Sequence, residues 1–181
     1  MTETKNNPFR LDLVSVRLVK DSSFLSDSAI RGPQDAVGLL GKYLCELDRE
    51  VLCVINMTIS GIPINCNIAS MGAIDKTFVN PREIFKASIL SNAANMILMH
   101  NHTDGILTPS KQDTMITDQM VKACGIMGIP LLDHVIVGGD NAEYFSFREK
   151  KLLPVPDISL ATDYRTFNLD TGLAAEMGRS R

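Results

Sequence analysis

Met96-Ile97-Leu98-Met99-His100-Asn101-His102 is a short, almost wholly apolar run that ends in two of the three histidines of the chain. Four successive apolar residues suit a strand covered on both faces. The run therefore predicts a buried strand from Asn95 whose C-terminal end carries His100 and His102. Residues i and i+2 of a strand point to the same face, ~6.5–7 Å apart at Cα, so both imidazoles can converge on one ion at ~2.0–2.1 Å. Seven residues, Thr103 to Pro109, then lead to Ser110, with Asp113 three positions further on. A helix predicted over Ser110 to Ile126 can fold back over the strand end and bring Asp113, in its first turn, to the same ion. Two histidines and one carboxylate leave a fourth tetrahedral position open, as in catalytic rather than structural zinc sites. Nitrogen and oxygen donors favour Zn2+ and accommodate other divalent ions.

Working outward, Val51 to Met57 is another apolar run and predicts a second buried strand. Ile62 to Ile68 alternates strictly after the Ser60-Gly61 turn, and Pro63 places it at an edge. Pro33 opens a helix with Ala36, Val37, Leu39, Leu40, Tyr43, Leu44 and Leu47 at helical spacing. Asn80-Pro81 caps and starts another, running to about Ala93. Leu131 to Val137 and Tyr144 to Phe147 read as a hairpin around Gly138-Gly139-Asp140-Asn141. The β-branched run Arg10 to Lys20 predicts one more strand. The pattern is that of an α/β fold, a mixed β-sheet sandwiched between α-helices. It divides into an arm with one strand over 1–32, a domain over 33–150 and a tail over 151–181.

The 181 residues carry a net charge of -3, with 45% hydrophobic and 22% charged residues, which is ordinary for a folded soluble domain. The acidic balance lacks the electrostatic footprint of a dedicated nucleic-acid binder. Cys45, Cys53, Cys66 and Cys124 form no CxxC pair and have apolar neighbours, so they read as buried free thiols in a reducing compartment. The polar stretch Met1 to Asn7 has no signal-peptide character, and no apolar run approaches the ~20 residues of a membrane span. The expectation is a cytoplasmic protein with no membrane contact.

Several segments together resemble one family. They are Asn80-Pro81-Arg82-Glu83-Ile84-Phe85-Lys86-Ala87, Met99-His100-Asn101-His102, Thr108-Pro109-Ser110 with Asp113, Gly128-Ile129-Pro130-Leu131-Leu132-Asp133-His134 and Tyr144-Phe145-Ser146-Phe147-Arg148-Glu149. Over roughly residues 33–150 the chain resembles the RadC-like branch of the JAB/MPN metalloprotease domains, which carry the JAMM signature. The resemblance implies a cytidine-deaminase-like architecture and a zinc-dependent hydrolase of amide bonds, peptide or isopeptide. It also implies roles: His100, His102 and Asp113 as ligands, Glu50 as general base and acid on the metal's water, and Ser110 as a donor to the oxyanion. A peptide or protein substrate follows, and a homodimer stays open. The alternative is a non-catalytic role in DNA repair or mobile-element processing. The net charge counts against direct DNA contact, as does a leader too short for a helix-hairpin-helix module. Where the branch has Pro-Ser-Gly-Asp-Pro after the second histidine, this chain has Thr103-Asp104-Gly105-Ile106-Leu107. That difference bears on substrate preference more than on the ligands.

Each of these residues also has a plainer reading. Ser110 and Asp113 fit a helix capping box, and Glu83 fits the cap of its own helix while standing second to Glu50 as the base. His134, beside Asp133, reads as a hydrogen-bonded structural histidine. Met115, Met120 and Met127 read as core.

Overall fold

The structure, a computed structural model, describes residues 13–26, 28–72, 79–141 and 143–155. Its centre is a five-stranded mixed sheet, with β1 Val51–Met57, β2 Pro63–Met71, β3 Asn95–His102, β4 Leu131–Gly138 and β5 Tyr144–Ser146. The strands lie in the order β2-β1-β3-β4-β5. Only β3 and β4 run parallel; β1 pairs antiparallel with both β2 and β3, and β4 with β5.

Both faces of the central strands are covered, which is why β1 and β3 read as continuous apolar runs rather than alternating ones. On one face lies the first helix, α1, whose α-helical turns Pro33–Ala36 and Lys42–Cys45 flank a π-helical segment, Val37–Gly41. Its Ala36, Val37, Leu40 and Leu44 pack on Val51, Cys53, Ile55, Met57, Ile97, Met99, Val135 and Val137. On the other face, α2 (Pro81–Leu90) and α3 (Lys111–Met127) bury Ile84, Phe85, Met120, Val121 and Cys124 against Leu52, Val54, Met96 and Leu98. Odd positions of β1 and β3 thus serve α1 and even positions serve α2 and α3, as the two-residue period of a strand requires. His100 and His102 are even, so they open toward α3.

The α/β sandwich expected from the sequence is therefore present. Asn80 caps α2, its side-chain oxygen accepting from the Arg82 amide at 3.0 Å. Some expectations need correction. Residues 13–20 form no strand, and Leu13, Val14, Val16, Leu18 and Val19 are exposed; a β-branched run becomes a strand only when another strand accepts its backbone bonds. Residues 10–12 of that run, and 156–181 of the tail, lie outside the described residues. The buried stripe of α3 is Asp113, Thr117, Met120, Val121 and Cys124. Met115 and Met127 are exposed, because the stripe is turned by about one position from the face they mark.

The cysteines divide as well. Cys53 and Cys124 are buried, Cys45 is partly covered and Cys66 is exposed. On edge strand β2, Ile64, Cys66 and Ile68 point outward while Asn65 and Asn67 are partly covered. Asn65 accepts from the buried Asn56 amide at 2.7 Å, a polar contact that sets this side inward. Burial pushes the Cys124 thiol up to about 12 and the Cys53 thiol higher still, so neither forms thiolate near neutral pH. Alkylation of the native protein should label Cys66 first and leave Cys53 and Cys124 unmodified until denaturant is added, as peptide mass mapping would show.

Two glycines separate strain from entropy. Gly61 has φ +79°, and a Cβ there would lie 2.5 Å from the carbonyl oxygen of Ile30, the residue whose amide donates to the Gly61 carbonyl at 2.8 Å. Gly38 sits in helical backbone with nothing near its would-be Cβ. Thermal melts should show Gly61→Ala destabilised by more than about 1 kcal/mol, and Gly38→Ala stabilised by about 0.5–1 kcal/mol.

Candidate metal centre

The parallel β3–β4 pair obliges the chain to cross back over the sheet, and α3 makes that crossing. The carboxyl end of β3 and the start of α3 are consequently neighbours, and the candidate site lies between them. His100 is fully buried, Asp113 is 1% exposed, and His102 lies further out. The Nε2 atoms of the two histidines face each other at 2.9 Å. Asp113 reaches both, with Oδ1 3.2 Å from His100 Nε2 and Oδ2 3.4 Å from His102 Nε2. All three ligand atoms lie within 4.8 Å of one another. A tetrahedral zinc with N and O ligands spaces its donors about 3.3 Å apart, so the donor set fits a small divalent ion closely.

The capping reading of Ser110 and Asp113 is borne out, and the cap bears on the candidate site. Ser110 Oγ accepts from the Asp113 amide at 3.1 Å, and the Ser110 amide donates to Asp113 Oδ2 at 2.6 Å. The capping box thereby fixes the rotamer of the carboxylate that faces the histidines. Burial pushes the Asp113 carboxyl up, but its contacts with His100 and His102 outweigh that and hold it well below the usual carboxylate range. The Asp113 carboxylate in turn raises His102 above the ordinary histidine value. Burial holds His134 well below it, so that ring is neutral.

His102 is oriented from outside by the loop that departs from the family pattern. Its Nδ1 donates to the Ile106 carbonyl oxygen, since a carbonyl can only accept. That leaves the lone pair on Nε2, facing the other donors. Asp104 Oδ1 accepts from the Ile106 amide at 2.9 Å, and Gly105, at φ +76°, completes the turn. The Asp104 carboxylate thus shapes the loop.

In front of the donors lies a cavity of about 240 Å3, lined by His102, Asp113, Ser110, Glu50, Ile106 and Asp104 among others. Glu50, 63 positions before Asp113 in the chain, is brought to the same cavity. Glu83 is not among the residues lining it; its carboxylate pairs with Lys86 at 2.6 Å on the surface of α2.

The position of Glu50 depends on a residue that sequence reasoning passed over. Asn101, between the two histidines, faces the opposite way and is 1% exposed. Its Oδ1 accepts from the Val51 amide at 2.8 Å and its Nδ2 donates to the Arg49 carbonyl at 3.0 Å. One side-chain amide therefore grips the backbone on both sides of Glu50, while the Glu50 carbonyl accepts from the Gly72 amide at 2.9 Å. The only signal in the sequence was an amide side chain where a buried strand otherwise carries apolar ones.

Residues 30–152 match the family described as RadC-like JAB domain. The chain belongs to that family. It is 38% identical over 129 residues to a UPF0758 protein of Moorella thermoacetica, a match covering 71% of this chain and 56% of that relative. It is 40% identical over 124 residues to one of Rubrobacter xylanophilus, covering 68% and 53%. To one of Thermotoga maritima it is 40% identical over 104 residues, covering 58% and 46%. The chain spans about half the length of the curated relatives it matches. Among the described residues, no helix is long and apolar enough to cross a membrane. For this RadC-like domain, Asn101→Ala is expected to cost about 1–3 kcal/mol by leaving buried backbone groups unpaired. Divalent-metal binding should equal that of the native chain, since the candidate donors are untouched; denaturant melts and metal analysis of the same samples check both.

Proposed function

We propose that this RadC-like domain is a zinc-dependent hydrolase of amide bonds, acting on a peptide or isopeptide carbonyl. The observation that carries this reading is the arrangement of three convergent ligands behind a cavity that also holds Glu50 and Ser110. The ligands alone would serve a structural ion equally well. A carboxylate and a hydroxyl in the cavity beside them add the groups that acyl transfer needs.

His100, His102 and Asp113 would hold the ion, which when bound supplies a Lewis acid that brings a water's pKa down to around 7. Glu50 then takes the proton from the attacking water and returns it to the leaving nitrogen, a transfer between groups of similar acidity. Ser110 Oγ already accepts from the Asp113 amide, so its own hydroxyl hydrogen is free to donate to the oxygen that gains negative charge. Ile106 contributes apolar surface at the mouth, where it would contact substrate side chains.

Metal analysis of the purified chain should find a tightly held divalent ion, and His100→Ala and Asp113→Ala should lose it. Glu50→Gln should keep the ion yet cut the hydrolysis of a fluorogenic peptide library and an isopeptide-linked pair by about 10²–10⁴-fold. Native protein free of metal, or ligand variants that bind it equally well, would overturn the site. Glu50→Gln with undiminished turnover would overturn the role of that carboxylate.

A further inference from the structure

We propose that His134 and Thr117 form a one-directional hydrogen-bond chain that fixes His100 as an Nε2 metal ligand, which makes both of them positioning residues. The inference rests on the reading of His100, His102 and Asp113 as metal ligands.

The direction is set at the far end. Thr117 Oγ1 lies 2.5 Å from the backbone carbonyl oxygen of Asp113, and a carbonyl only accepts, so the one hydroxyl hydrogen points there. The same oxygen lies 2.6 Å from His134 Nδ1 and must accept from it. Nδ1 of His134 therefore carries the hydrogen, and a neutral ring presents a bare Nε2. That atom lies 2.9 Å from His100 Nδ1, which must then be the N–H. His100 is left with its lone pair on Nε2, the atom that faces His102 and Asp113. The opposite polarity would place two lone pairs in contact at either the threonine or the carbonyl.

The chain of bonds leaves one ligand and returns to the backbone of another, from His100 through His134 and Thr117 to Asp113. It is also held rigid. His134 is fully buried and stacks on Phe147 with ring centroids 5.1 Å apart and planes 8° from parallel. Thr117 stands one helical turn after Asp113, on the same buried stripe of α3. The two histidine ligands are thus oriented by different devices, His102 by a loop carbonyl near solvent and His100 by side chains of the core. A metal-ligating histidine usually donates its second nitrogen to a carboxylate, a carbonyl or water; here a second imidazole takes that place.

Zinc affinity of the full chain, measured by competition with a chromophoric chelator, tests this together with long-range 1H–15N NMR of the zinc-loaded protein. Thr117→Val keeps the shape of the side chain and removes the hydroxyl; Thr117→Ser restores it. Thr117→Val is expected to weaken zinc binding about 10–100-fold and to shift or lose the His100 Nδ1–H resonance, while Thr117→Ser stays near native in both. Melting of the metal-free variants shows that they remain folded. Native affinity with an unchanged His100 signature in Thr117→Val would overturn the proposal, as would a Thr117→Ser variant as weak as Thr117→Val. A native chain that takes up no zinc would instead overturn the metal centre itself.

Discussion

A carboxylate buried at the start of a helix must be compensated on every side, because stripping water from an ion costs several kcal/mol even after relaxation. Asp113, 1% exposed, takes the Ser110 amide on one oxygen and faces the Nε2 atoms of His100 and His102 with both. The partial positive charge at the N-terminus of α3 adds to the amide's effect. The carboxylate's charge is then only partly compensated, and the two facing Nε2 atoms, each ring carrying its hydrogen on Nδ1, turn lone pairs toward each other. A cation among these three donors resolves both problems together, which is why the geometry suits a divalent ion so well.

The rest of the domain follows from keeping those donors in register. The even positions of β3 face α3, so the helix that covers the core also delivers the carboxylate. Thr117, Met120, Val121 and Cys124 continue the stripe that begins at Asp113, and apolar packing of that stripe aims the polar end. Asn101 works on the other face, where its amide holds the entry to β1 and with it Glu50. One short strand therefore positions the ligands with its even residues and the candidate base with an odd one.

Some of this was open to reading because it is local. The two-residue period put His100 and His102 on one face, and the capping pattern put Ser110 and Asp113 at a helix start. Both features depend only on backbone geometry within a few residues. The arm over 13–20 and Met115 and Met127 of α3 misled for a complementary reason: β-branched alternation specifies a strand only if a partner exists, and apolar identity does not fix helix rotation to within one residue.

From the sequence alone came the sheet-and-helix sandwich and the candidate donor triad of His100, His102 and Asp113, while the expectation for Glu50 came from the resemblance to the RadC-like branch. Only the tertiary structure decided that Glu50 and not Glu83 shares the cavity, that Asn101 holds it, and that His134 abuts His100. The last depends on an irregularity in the pairing of β3 with β4, between Met96–Leu131 and Ile97–Asp133, which turns His134 to the face of His100. A strand's period is written in its own residues, whereas its register against a neighbour is settled by packing across the sheet, and a shift of one position exchanges the two faces.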